Sequence, residues 1–138
     1  MIVVVGGQAR KVGKTRAVCD IISATPEAAW VAVKITPHGH PEPSRDPDTD
    51  RYLRAGAAES RLLTGHPPLA LPHGRNLIVE STSILDQLTP DLFFLIVDPA
   101  NPDWKPSAER HRTHPAAIEV SGLLQPEHLE LVRSRLAR

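Results

Sequence analysis

The chain has almost nothing with which to cross-link itself. Its single cysteine, Cys19, excludes an internal disulfide and fits a reducing compartment. Charge of one sign is missing too: 16 lysines and arginines balance 16 aspartates and glutamates. No whole-molecule field therefore favours nucleic acid or an anionic membrane, and any anion binding must come from local clusters. Long apolar runs are absent as well. None reaches the ~18–20 residues needed to span a bilayer. The initial "MIVVV" is too short for a signal-peptide core, and Gly6 interrupts it. These absences predict a soluble, cytoplasmic protein with neither a membrane nor a nucleic-acid partner. What remains is 138 residues at 41% hydrophobic content, enough for one domain with its own core over residues 1–138. The 14 prolines and 7 histidines are numerous and fall mostly between the apolar runs.

Those runs are β-branched and alternate with helical or loop material. "IVVV" (2–5) is short and uninterrupted, as expected of a strand buried on both faces of a parallel sheet. From Lys14 to about Ala24, Ala17, Val18, Ile21 and Ile22 form a helical stripe that stops before Pro26. "AWVAVKI" (29–35) reads as a second strand, and "PHGHPEPSRDPD" after it as a long loop. A short helix is expected from Thr49, with Gly56 near its end, and a brief strand at "SRLLT". "NLIVE" (76–80), "LFFLIVD" (92–98) and "AIEVSG" (117–122) are further strands. "STSILDQL" can begin a helix through a Ser or Thr cap. "PEHLELVRSRLAR" closes the chain as a helix with an apolar face of Leu129, Val132 and Leu136. Strands alternating with helices predict a three-layer α/β fold with a mainly parallel central sheet, P-loop NTPase-like if the glycine-lysine stretch after the first strand is a phosphate-binding loop.

The stretch "GGQARKVGKT" (6–15) ends like a phosphate-binding loop. The usual spacing, G-x-x-x-x-G-K-[ST], would place its first glycine at position 8, where Gln8 stands. Context favours the loop all the same, because it follows a buried strand and opens a helix. Glycines let backbone N–H groups turn inward, the helix start adds positive potential, and lysine reaches the outer phosphates. The expected nucleotide-binding residues are therefore Gly7, Gln8, Ala9, Arg10, Lys11, Val12, Gly13, Lys14, Thr15 and Arg16, with Thr15 offering its hydroxyl to Mg²⁺. The alternative is a strand-end turn at Gly6-Gly7 and a solvated Lys14. The span from Gly7 to Gly13 encloses five residues. It resembles the loop of dethiobiotin synthetase and related enzymes, although Lys11 stands where that pattern has a glycine.

A second resemblance lies in "VKITPHGHPEPSRDPDTDRYLRAGAAES". It is similar to the corresponding stretch of the MobB family, the GTP-binding molybdopterin-guanine dinucleotide biosynthesis protein B. The matching positions are Lys34, His38 and His40, Asp48-Thr49, Arg51 and Ala55-Gly56-Ala57. "LIVES" (77–81) resembles that family's apolar strand ending in Val-Glu-Gly, with Ser81 in place of the glycine. The likeness covers roughly the first hundred residues with gaps. It implies GTP ahead of ATP, slow hydrolysis, a homodimer, and a protein partner in cofactor biosynthesis.

In chemical terms, such a site needs a cradle, Mg²⁺, carboxylates near the metal and a positive group on developing phosphate charge. Lys14, Glu80, Asp48 and Lys34 are the candidate catalytic residues, and Thr15, Glu80 and Asp48 the candidate metal residues. Each has a plainer alternative. Glu80 could end its strand in solvent, Asp48 could only cap a helix, and Lys34 could only snorkel. His38, His40 and Glu42 fall short of a zinc centre, which takes four ligands. No Asn-Lys-x-Asp guanine reader is present, so Asp98, Trp104 and the Ser121-Gly122 turn are the base-side candidates. Two further readings stay open: an ATP-dependent small-molecule ligase or kinase, and a scaffold that no longer hydrolyses nucleotide.

Overall fold

The strand β1, Ile2–Gly7, has buried side chains from Val3 onward because it is the middle of a sheet covered on both faces. In this computed structural model, which describes residues 1–36, 46–65 and 69–138, β1 leads through a loop into α1, Lys14–Ala24. There follow β2 (Val31–Thr36), α2 (Pro47–Ala55), β3 (Glu59–Thr64) and β4 (Leu77–Glu80). The chain ends with β5 (Leu92–Val97), α3 (Pro106–His111), β6 (Ala117–Ser121) and α4 (Pro126–Leu136). The six strands form one sheet in the order β3-β2-β4-β1-β5-β6, and every pairing is parallel. The expected α/β fold with three layers is what forms.

Alternation along the strands divides the core in two. Val3, Val5, Ala32, Ile78, Phe94 and Ile96 pack with α1, with Tyr52 of α2 and with Val132 of α4. Val4, Val33, Val79, Phe93 and Leu95 face the other way, onto Ile84, Leu85 and Ala108. Each fully buried Val, Leu, Ile or Phe among them contributes about 1.5–3 kcal/mol by leaving water. Trp30 is also buried, and its indole N–H donates to Thr25 Oγ1 at 2.9 Å. Among the described residues no helix is long and apolar enough to cross a membrane.

Some expected boundaries move. The helix expected from Thr49 starts at Pro47, because Asp46 caps it and accepts from the backbone of Asp48 at 2.8 Å. Asp48 is therefore a first-turn residue, not the cap. The helix expected in "STSILDQL" is only a 3₁₀ turn over Ser83–Asp86 with no side-chain cap. Ser81 Oγ accepts from Ile84 N at 3.3 Å, a local bond that competes with helix, and Pro90 stops any extension. The connection that follows β5 and carries Asp98 and Trp104 runs into α3 at Pro106. Most of the proline-rich stretch, residues 37–45, lies outside the described residues, and with it His38, His40 and Glu42.

Candidate functional site

The site candidates gather at the C-terminal ends of the central strands, where ligands bind in open α/β sheets. Register explains how. Val5, Glu80 and Lys34 are neighbours on β1, β4 and β2. Glu80 shares a face with Ile78, and Lys34 with Ala32, so both side chains project toward the layer of α1 and α2. Glu80 is only 6% exposed, which rules out the solvent-facing alternative. Its Oε1 accepts from Thr15 Oγ1 of α1 at 2.9 Å and from the Tyr52 hydroxyl of α2 at 2.5 Å. Oε2 has no hydrogen-bond partner among the described residues. Burial and then the negative charge of Glu80 push the Tyr52 phenol far above its ordinary pKa, so it remains a donor.

The loop between β1 and α1 is shaped by two left-handed residues and one close approach. Gly13, which caps α1, has φ 103°, and Lys11 has φ 60°, the conformation that a glycine supplies most readily. A Cβ on Gly7 would lie 2.7 Å from Lys14 Cδ and 2.7 Å from Val12 Cγ2. The Lys14 stem therefore lies across the Gly7 backbone. This geometry begins the loop at Gly7 and leaves position 8 free for a side chain.

Gln8 uses that freedom. It is 1% exposed, and its Nε2 donates to the carbonyls of Asn101 at 2.6 Å and Asp103 at 3.0 Å. Its Oε1 accepts from Asp98 N at 2.7 Å. Gln8 thus fastens the β5–α3 connection to the β1–α1 loop, a role the sequence pattern did not reveal.

Around the loop opens a cleft of about 460 Å³. Six cationic side chains line it, Arg10, Lys11, Lys14, Arg16, Lys34 and Arg51, against two carboxylates, Asp48 and Glu80. In a chain of zero formal charge this concentration makes the cleft a local anion attractor. Lys34 is the neutralised member. Its Nζ lies 2.5 Å from Asp48 Oδ2 and 3.2 Å from Asp46 Oδ2. Burial opposes its charge, but the hydrogen bonds and charges of Asp48 and Asp46 outweigh that and raise its pKa. Lys34 thus ends in an ion pair rather than in free solvent. Arg51 adds a looser pair to Asp48 at 3.8 Å. Among the described residues no three His, Cys, Asp or Glu side chains cluster as a metal group.

A second cleft, of about 650 Å³, shares Arg10, Lys14, Lys34 and Glu80 with the first. Hydroxyls of Thr36, Ser81, Thr82, Ser83 and Ser107, the carboxylate of Asp86 and the amine of Lys105 supply its other polar lining. A third, of about 280 Å³, brings together Asp98, Trp104 and Ser121, the three base-side candidates. Trp104 stacks on Arg112 there, with the guanidinium carbon 4.1 Å from the ring centroid. Cys19 is half-buried against the core, and burial raises its thiol pKa. The residues missed from sequence are Tyr52, Lys105 and the fastening role of Gln8. Tyr52 carried a signal: it is the only tyrosine and sits four residues after Asp48, on one helix face.

Comparison with family models, curated proteins and solved structures finds no match to this chain.

Proposed function

We propose that the cleft binds a Mg²⁺–purine nucleoside triphosphate and hydrolyses it slowly, in the manner of the MobB family, with GTP ahead of ATP. The observation that carries this reading is the hydrogen bond from Thr15 to the buried Glu80, beside a Lys14 draped over Gly7. A phosphate cradle needs that trio: a lysine for the outer phosphates, a hydroxyl and a carboxylate. Magnesium prefers hard oxygen donors, and Thr15 Oγ1 with the unengaged Glu80 Oε2 fits that preference. Bound there, the ion would supply positive charge to the phosphate oxygens. Asp48 lines the same cleft, with Lys34 on its Oδ2. Lys14 and Arg10 bind and orient the triphosphate, and Tyr52 holds the Glu80 carboxylate in place. The preference for guanine, the homodimer and the partner in cofactor biosynthesis come from the MobB-like block.

One observation favours a second reading, a small-molecule ligase or kinase similar to dethiobiotin synthetase. The 650 Å³ cleft shares Lys14, Lys34 and Glu80 with the first and offers hydroxyls and an amine to a second substrate. Calorimetric titration with GTP and ATP, with and without Mg²⁺, tests both. Micromolar, Mg²⁺-dependent binding of GTP supports the first reading and of ATP alone the second. Binding of neither would refute both and leave a scaffold that keeps the fold without the chemistry.

A further inference from the structure

Lys105 lies far from the loop in sequence, yet it is fixed to it. Its backbone N–H donates to Gln8 O at 3.0 Å, and the Gln8 side chain holds the preceding residues at Asp98, Asn101 and Asp103. The lysine is half-buried and lines the wall that the second cleft shares with Lys14 and Arg10. Neither Lys14 nor Lys105 forms an ion pair among the described residues. Lys34, by contrast, is neutralised twice over. Two adjacent ammonium groups repel one another, the charge of Glu80 offsets this only in part, and a half-buried charge without an ion pair is costly. A polyanion between them removes both penalties at once.

We propose that Lys105 is a second anion-binding lysine of this site, converging with Lys14 on the terminal phosphate of a bound polyphosphate chain from the side of the larger cleft. The proposal deepens the nucleotide reading and rests on it. Its ligand chemistry is a chain of at least two phosphates. Lys14 holds the chain from the loop, while Lys105 meets its outer end, where any acceptor in the larger cleft would also approach. Burial, and then the charge of Lys14, lowers the Lys105 amine to about 8, as an anion site kept ready without its anion would show. The other charged groups around it are Arg10 from the same loop, Glu80 at the end of β4, and Lys34 and Asp86 across the cleft.

The test is calorimetric titration of the full chain with inorganic tripolyphosphate and Mg²⁺, using wild type, Lys14→Ala, Lys105→Ala and Lys105→Arg. The expected result is a loss of roughly ten-fold or more in affinity for either alanine variant, as for loss of a charged hydrogen bond to an ionised group. Lys105→Arg should recover most of it. Titration in two buffers of different ionisation enthalpy adds a readout that a structural role would not move. Wild type should take up protons on binding near the Lys105 pKa, and Lys105→Ala should not. Loss of binding in Lys14→Ala alone, with Lys105→Ala binding like wild type, would overturn the proposal and leave the nucleotide reading standing. No binding of tripolyphosphate or nucleotide by wild type would overturn both. Should Lys105→Ala fold poorly, Lys105→Met keeps the stem and is read by the same titrations.

Discussion

Removing the charge of Lys105 should make the ligand-free protein more stable. Its amine falls from an ordinary 10.5 to about 8, chiefly through burial and then through the charge of Lys14. At 1.36 kcal/mol per pKa unit the full shift corresponds to about 3 kcal/mol, and residual solvent contact reduces it to about 1–3 kcal/mol. Lys105→Met keeps the stem and removes the charge, so it should gain that amount at neutral pH. For a chain of this size each kcal/mol moves the melting temperature by roughly 4 °C. The pH dependence follows from the direction of the shift. Below about 8 the lysine is protonated in both the folded and the unfolded chain, and wild type bears the whole penalty. Between about 8 and 10.5 the folded chain releases its proton first, so wild-type stability rises relative to the variant. The gap should close by the upper end of that window. Urea denaturation of both proteins at several pH values measures it directly. A variant less stable than wild type at neutral pH, or a gap that ignores pH, would refute the reasoning. Saturating tripolyphosphate should reverse the order, because the ligand stabilises the form that binds it more tightly.

Three other outcomes are expected. Glu80→Gln keeps the shape and the acceptor for Thr15 and Tyr52 but loses the charge, so steady-state turnover should fall more than nucleotide affinity; equal losses would point to a structural role. Gln8→Ala removes three hydrogen bonds from a buried side chain and should cost about 2–4 kcal/mol in chemical denaturation, with hydrogen exchange rising over residues 98–105. A loss confined to residues 6–15 would show that Gln8 does not hold the distant connection. Lys11→Gly relieves about 1 kcal/mol of left-handed strain against a similar gain in unfolded-chain entropy, leaving melting nearly unchanged, while β-branched Lys11→Val should lower it; equal melting of the two would deny the strain.

The fold was legible where burial leaves a uniform mark. Val3, Val4 and Val5 are all fully buried, so β1 shows an unbroken apolar run, and α1 shows its core face at Ala17, Val18, Ile21 and Ile22. Short elements leave weaker marks. Only Ala108 of the six residues in α3 is buried, and "KPSA" carries no periodicity to find. In "SRDPDTD" the decisive letter is Pro47, which suits the first helical position and makes Asp46 the cap. The site was legible in its parts, since Lys14, Thr15, Lys34, Asp48 and Glu80 do share one cleft. Its pairings were not. Tyr52 on Glu80 and Lys34 on Asp48 join elements whose register only the assembled sheet sets.

Gln8 shows why a fixed spacing is the wrong criterion for such a loop. A glycine is required where a side chain would collide or where φ turns positive. Here those demands fall at Gly6, against Thr82 Oγ1, at Gly7, under the Lys14 stem, and at Gly13, with Lys11 accepting a second positive φ at some cost. Position 8 meets neither demand. Its N–H donates to Ile96 O at 2.9 Å, continuing the β1–β5 pairing one residue past Gly7. Its side chain, buried between two loops, is free to bind the β5–α3 connection. A glycine at 8 would satisfy the common pattern and lose the side-chain bonds to Asp98, Asn101 and Asp103, leaving only the backbone bond from Lys105 N to the carbonyl of residue 8. The departure from the pattern therefore has a structural use of its own: it ties the connection that carries Lys105 to the loop that carries Lys14.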